Sequence, residues 1–443
     1  MDGIDNSKSS QSFNIAYKLL LILLLTRFFL PIIQSNALGE VSSEVGIEGY
    51  IRVLSLGILS IFLLHQMSRF SFIFTYEKGI SLIAIAFVIL VGVQFFILGD
   101  KSFNLQGAVK YFFYFSFIIV SLFSAINHPE HTINTIVKIS LILFVTVLIF
   151  YPYLIIESGI DPVSALLYNE HRLHFLLHAS NEDAHFMTTF FLLALYKVRK
   201  YPVWILILSI LFIVALIYNG TRSAFIIALI LPILYFILYK RRFILSTIIA
   251  GVIFIVSFSY VSEYIEVKFE EDLRVFEQSE KVLSGKEVGG SFSYRIAHLW
   301  IPMLTYTTQE SPIIGNGSNG WDIVAVNILN NKKIESPHNT FVWAYVNWGI
   351  IGVIGITLLL SIPFFSLIKL YMRSNGGKYQ SLIIILICTW IEFFVWSMIA
   401  NAYTVHGWVV LSLLIVLSVA VKYAVYNTFD HEKESQSLNY KYS

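Results

Sequence analysis

Along the chain, apolar residues come in runs of about 17 to 25, each long enough to cross a bilayer as a helix, separated by short polar connections. About twelve such runs are present, near residues 15–33, 50–66, 79–98, 108–126, 136–157, 183–197, 201–218, 222–239, 243–262, 339–370, 379–400 and 404–426. The pattern predicts an all-α polytopic membrane protein. Two connections are long, 158–182 and 263–337. The second exceeds what a structureless loop in a compact protein normally spans, so it is expected to carry its own structure. Val261, Ile265, Phe269, Leu273 and Phe276 recur there at helical spacing, with Glu263, Glu266, Glu270, Glu271 and Asp272 between them. This predicts an amphipathic surface helix. Beyond the break at Gly285 to Gly290, Ser291 or Ser293 can cap a further helix carrying Tyr294, Arg295, His298 and Trp300. The expected organisation is nine spans over 1–262, a loop domain over 263–337, three spans over 338–426 and a polar tail over 427–443.

Positive residues are retained on the cytoplasmic side of short connections, so their placement sets the orientation. Arg69 and Lys78 fall in the second connection, Lys197, Arg199 and Lys200 in the sixth, Lys240, Arg241 and Arg242 in the eighth, and Lys369, Arg373 and Lys378 in the tenth. These connections and both termini are expected in the cytoplasm. The odd connections are poor in Lys and Arg; 35–49 has none and carries Glu40, Glu44 and Glu48. Both long connections therefore face outward. The small residues at Ser35-Asn36-Ala37 suit a signal-cleavage site, but the 15–33 run is longer than a signal core and reads as a retained helix.

Composition agrees, since 57% hydrophobic and 13% charged residues leave too much apolar surface for a water-soluble core. Cys388 is the single cysteine, which excludes a disulfide framework and a thiol-based metal site. The net charge of +2 decides little. No nucleic-acid partner is expected.

Candidate chemistry gathers at outward helix ends. Arg222 opens the eighth span in Asn219-Gly220-Thr221-Arg222-Ser223-Ala224. It reads either as an interfacial arginine snorkelling to head groups or, with the backbone amides of Gly220 and Thr221 at a helix N-terminus, as part of a diphosphate site. Arg172 lies in His171-Arg172-Leu173-His174, and four histidines fall between 171 and 185. Their spacing is irregular and no cysteine accompanies them, so a donor-binding or solvated loop is preferred to a metal site. Gly315-Asn316-Gly317-Ser318-Asn319-Gly320 can turn successive amides toward an anion or be a plain turn. His338, in Ser336-Pro337-His338-Asn339-Thr340-Phe341, opens the tenth span. It can accept a proton from an attacking hydroxyl or merely cap the helix. Glu392, inside the eleventh span beside Trp390 and Trp396, is either functional or a structural partner for another helix. Lys110 adds outward positive charge or snorkels.

Three blocks resemble the O-antigen ligase and polymerase family of lipid-carrier-dependent glycosyltransferases. They are Asn219 to Ala224; Tyr294-Arg295-Ile296-Ala297-His298-Leu299-Trp300 followed by Ser311-Pro312-Ile313-Ile314-Gly315-Asn316-Gly317; and His338-Asn339-Thr340-Phe341 with Trp348-Gly349-Ile350-Ile351-Gly352. The region of Arg172 departs from the family pattern, with Asn181-Glu182-Asp183 where a Gly- and Pro-containing turn is expected. The resemblance implies an all-helical membrane fold of the type shared by lipid-phosphosugar glycosyltransferases (GT-C-like), in the bacterial inner membrane, with the outer loop covering the site. It implies metal-independent transfer from an undecaprenyl-diphosphate-linked oligosaccharide to an acceptor, with no cofactor. By the same resemblance Arg222 and Arg295 bind the diphosphate and stabilise its departing charge, and His338 orients or deprotonates the acceptor hydroxyl. Arg172, Thr221, Gly315, Gly317, Asn339 and Lys110 line the donor. A polymerase, acting on a second lipid-linked repeat and open to a chain-length regulator as partner, is preferred to a ligase acting on lipid A core. A flippase for the same lipid-linked sugar is the alternative from another class; the absence of an obvious internal repeat and the long outer loop argue against it.

Overall fold

The computed structural model describes residues 77–97, 111, 114, 115, 117–119, 121–157, 180–219, 227, 230, 231, 234, 295–329, 337–374, 377–399, 402 and 405–442. The regular structure among them is helical. In chain order the helices are α1 (Lys78–Ile97), α2 (Pro129–Glu157), α3 (Ser180–Val198), α4 (Pro202–Asn219), a π-helical turn (Arg295–Trp300), α5 (Ile301–Glu310), α6 (Gly320–Leu329), α7 (Thr340–Arg373), α8 (Gln380–Ile399) and α9 (Val405–Tyr442). Residues described between 111 and 127 are helical as well.

Among the described residues, four stretches are long and apolar enough to cross a membrane: Pro129–Ile149, Thr340–Arg373, Gln380–Ile399 and Gly407–Thr428. Lys78–Gln94, Phe117–Asn127 and Val203–Leu216 are shorter apolar helices. The runs expected at 15–33, 50–66 and 243–262, most of the run at 222–239, and the amphipathic helix after Val261 lie outside the described residues. Two expected boundaries move. Helix α2 begins at Pro129, seven residues before the apolar run, because its polar first turn has work of its own: Glu130 Oε1 accepts from Lys378 Nζ at 2.8 Å and from Tyr379 Oη at 2.6 Å. Helix α9 continues to Tyr442, through residues expected as a polar tail.

Packing follows a membrane logic. Large apolar side chains face outward on α4, with Val203, Trp204, Leu206, Ile210 and Val214 all exposed. On a soluble protein this would be an aggregation-prone patch; in a bilayer it is the lipid-facing surface. Inside, the largest fully buried side chains are aromatic. Phe87 of α1 stacks on Phe115 at 4.6 Å, Tyr111 meets Trp348 edge-on at 4.8 Å, Trp343 meets Trp348 at 4.9 Å, and Tyr114 stacks on Trp408 at 5.6 Å. Rings in such offset and edge-to-face contacts interlock rather than slide, which fixes α1, α7 and α9 against one another. Gly355 makes room for Phe87, since a Cβ there would lie 2.6 Å from the ring.

Charged and polar groups join several helix ends. Lys422 Nζ, near the end of the last span, reaches Glu77 Oε1 at 2.7 Å, just ahead of α1. Lys378 reaches Glu130. At the opposite ends, Asn339 Nδ2 donates to Met398 O at 3.2 Å, and Ala402 N to Thr340 Oγ1 at 3.1 Å.

Candidate functional site

The segment Pro337-His338-Asn339 joins a region outside the described residues to α7, and its geometry is unusual at His338. There φ is +51°, the only positive φ of a non-glycine residue among those described. A side chain in this left-handed region is strained, and such positions cluster where the surroundings hold a residue for a purpose. Three contacts hold it. Asn339 caps α7, its Oδ1 accepting from Phe341 N at 2.9 Å and Val342 N at 3.1 Å. Its Nδ2 is bonded to Met398 O of α8. Before His338, Pro337 O accepts from Trp300 Nε1 at 2.7 Å. The capping role open for His338 in the sequence thus belongs to Asn339, whose side chain is committed to the fold and offers little to a sugar.

Trp300 closes the π-helical turn that begins at Arg295. In a turn closed by i→i+5 bonds, residues five apart return to nearly the same side, so anchoring Trp300 on Pro337 carries Arg295 toward His338. They are close enough for charge to act. Burial first, and the Arg295 guanidinium second, push the His338 imidazole down to about 4. His338 is therefore neutral at physiological pH rather than poised at half-titration as its residue type alone suggests.

The Gly-rich turn has a different task from the one expected. Helix α7 is broken at Gly349 (φ +61°, ψ −158°), which separates Thr340–Trp348 from Ile350–Arg373. The break strips carbonyls and amides of their helical partners, and residues 311–317 supply replacements. Asn316 N donates to Val346 O at 2.9 Å and Gly317 N to Asn347 O at 3.0 Å; Ile350 N donates to Pro312 O at 2.9 Å and Ile351 N to Ile313 O at 3.3 Å. Gly315 N bonds Ser311 O. Of the amides expected to face a diphosphate, that of Gly317 is thus consumed in satisfying the helix break and that of Gly315 in closing the turn itself. Gly315 must be glycine because φ is +73° and a Cβ would lie 2.4 Å from Trp348 N. Gln94, near the end of α1, clamps the junction by donating to Ile314 O and, at 2.8 Å, to Asn347 O, while Asn347 Oδ1 accepts from Trp321 N at 2.6 Å. Neither Gln94 nor Asn347 was singled out from sequence; the available signal was a buried amide within an apolar run.

Glu392 has a partner from the histidine cluster. His185 Nδ1 lies 2.7 Å from Glu392 Oε1 with both side chains fully buried. Of the other candidates, Arg222, Thr221, Arg172 and Lys110 lie outside the described residues, as do His171, His174 and His178; Asn219, which precedes the Gly220–Arg222 block, is buried at the end of α4.

A protein-family model described as O-antigen ligase matches residues 207–357. The match runs from α4 to the middle of α7, taking in Arg222, Arg295, the broken helix with its turn, and His338. No curated protein matches the chain.

Proposed function

With residues 207–357 carrying an O-antigen ligase family domain, we propose that this membrane protein is a glycosyltransferase of O-antigen polymerase type. It transfers a glycan from undecaprenyl diphosphate to the terminal sugar of a second lipid-linked repeat unit, at the periplasmic face of the inner membrane. The observation that carries the reading is the charge of Arg295 acting on a half-buried, neutral His338 held on a left-handed turn.

In the step proposed, the acceptor hydroxyl oxygen bonds to the anomeric carbon as the bond from that carbon to the diphosphate oxygen breaks. The bonding electrons leave with the diphosphate, and the hydroxyl proton passes to His338 and from there to solvent. Arg295, joined by Arg222 from the matched Gly-Thr-Arg block, stabilises the charge gathering on the leaving group. A donor diphosphate beside Arg295 offsets the positive charge that depresses His338, so the imidazole becomes a better base once substrate is bound. The reaction is written without a metal because fixed cations can take its place.

The test is a clean deletion complemented with variants, read as a ladder of surface polysaccharide on a gel. A polymerase deletion stops at one attached repeat, whereas a ligase deletion lacks all attached repeats. His338→Ala, Arg295→Ala and Arg222→Ala should each reproduce the deletion pattern with the protein present in the membrane. Normal polymer length and amount in those strains would refute the assignment.

A further inference from the structure

Glu392 and His185 take no part in the transfer just described, yet they are fully buried and 2.7 Å apart on α8 and α3. Ionisable groups at such depth are costly, and replacing a buried pair with well-packed apolar side chains is often neutral or favourable to the fold. Stability therefore explains the pair poorly. Its environment adds to the cost: Glu392 Oε2 and Trp396 Nε1, one turn apart on the same face of α8, are buried with no hydrogen-bond partner among the described residues.

A directional contact defines what an apolar contact leaves loose, the height and rotation of one helix against another. The His185 ring also stacks parallel to Trp396, 5.9 Å between centroids and 10° between planes, which holds the same register. The register matters because the outer end of α8 holds the His338 turn. Met398, about 9 Å beyond Glu392 along the helix axis, accepts from Asn339 through its carbonyl, and Ala402 N bonds Thr340 Oγ1. A chain of named contacts thus runs from His185 through Glu392 and α8 to the residues flanking His338.

We propose that the His185–Glu392 pair is a positioning element for the reaction at His338: it sets the height and rotation of α8 so that the left-handed turn presents the imidazole to the substrate. The proposal rests on the role assigned to His338 above. Its test uses the full chain purified in detergent and the host's own lipid-linked repeat units, extracted from a strain lacking the protein. The apolar double variant His185→Phe/Glu392→Leu should melt at or above the temperature of the unaltered protein. Its kcat should fall roughly 10- to 100-fold, with KM changed by less than about twofold. Glu392→Gln, which keeps a hydrogen bond to His185, should retain most of the rate. Full activity in the double variant overturns the proposal, and so does a rate that falls only in step with melting temperature. His338→Ala in the same assay separates the two readings. If it is active, the site assignment fails; if it is inactive while the apolar pair is fully active, positioning alone fails.

Discussion

Replacing Gly349 with alanine puts a methyl group where the chain has no room and a backbone conformation where alanine is not stable. The new Cβ would lie 2.3 Å from Ile313 O, 2.4 Å from Ile313 C and 2.7 Å from Gly315 N. Backbone near φ +61° and ψ −158° costs a non-glycine residue about 1–3 kcal/mol. Overpacking against main-chain atoms that cannot rotate aside adds about 1–3 kcal/mol. The total is about 2–6 kcal/mol. One escape exists. The helix can straighten, letting Ile350 N and Ile351 N return to the carbonyls of Val346 and Asn347, but this evicts the 311–317 turn from its four backbone bonds. Either route lowers the melting temperature in detergent by several degrees or leaves the turn open to protease, and both reduce polymer on the gel. Gly92→Ala is the internal control. A Cβ there meets nothing within 4 Å, and alanine in a helix interior is favoured by about 1 kcal/mol, so melting should be unchanged or higher. If Gly349→Ala melted, resisted protease and polymerised like Gly92→Ala, the account of the broken helix would be wrong.

Because His338 is held down to about 4, kcat/KM should show no acid limb from this group above about pH 5 and should fall as pH drops through 4. Arg295→Ala removes the second cause, so the His338 titration, followed by NMR rather than by rate, should move up toward, without reaching, the ordinary histidine value of 6.5, since burial is the larger cause. Trp300→Phe keeps the ring but deletes the donor to Pro337 O; it should cost about 1 kcal/mol in melting experiments and slow transfer measurably. The two ion pairs should respond differently. Lys378→Ala breaks a pair whose side chains are 63% and 59% exposed, at a cost below about 1 kcal/mol. Lys422→Ala strands Glu77, whose side chain is 8% exposed, at a cost of about 1–3 kcal/mol.

The apolar runs place α1, α3, α4, α7 and α8 within a few residues of their ends, because a bilayer-spanning helix needs a length of apolar sequence that few other elements have. The run misjudged the start of α2, where Glu130 serves a tertiary contact to Lys378 and Tyr379 that hydropathy cannot register. The Gly315–Gly320 block was legible as a turn and the Gly349 block only as part of the resemblance, and nothing marked them as two halves of one junction. Only the fold reveals that Gly349 frees the groups that residues 312–317 satisfy, so their amides were read as anion donors. His338 and Arg295 were each noticed in a separate block; that the charge of one acts on the other is visible only in the fold. The His185–Glu392 pair was not legible either: each residue was noticed, but 207 positions separate them, and nothing local to either names the other.

The break at Gly349 divides α7 into two parts held by different partners. From Ile350 to Arg373 the helix measures about 36 Å, enough by itself to cross a hydrocarbon layer of about 30 Å, and Ile350, Ile354 and Phe365 are exposed on it. The part from Thr340 to Trp348 is fastened to the 311–321 turn, to Gln94 and to the end of α8. The long part reaches the short one through Gly349 and also through the Pro312 and Ile313 carbonyls that Ile350 and Ile351 bond, so a bilayer that thickens, thins or tilts it acts on the 311–317 turn as well as on the helix.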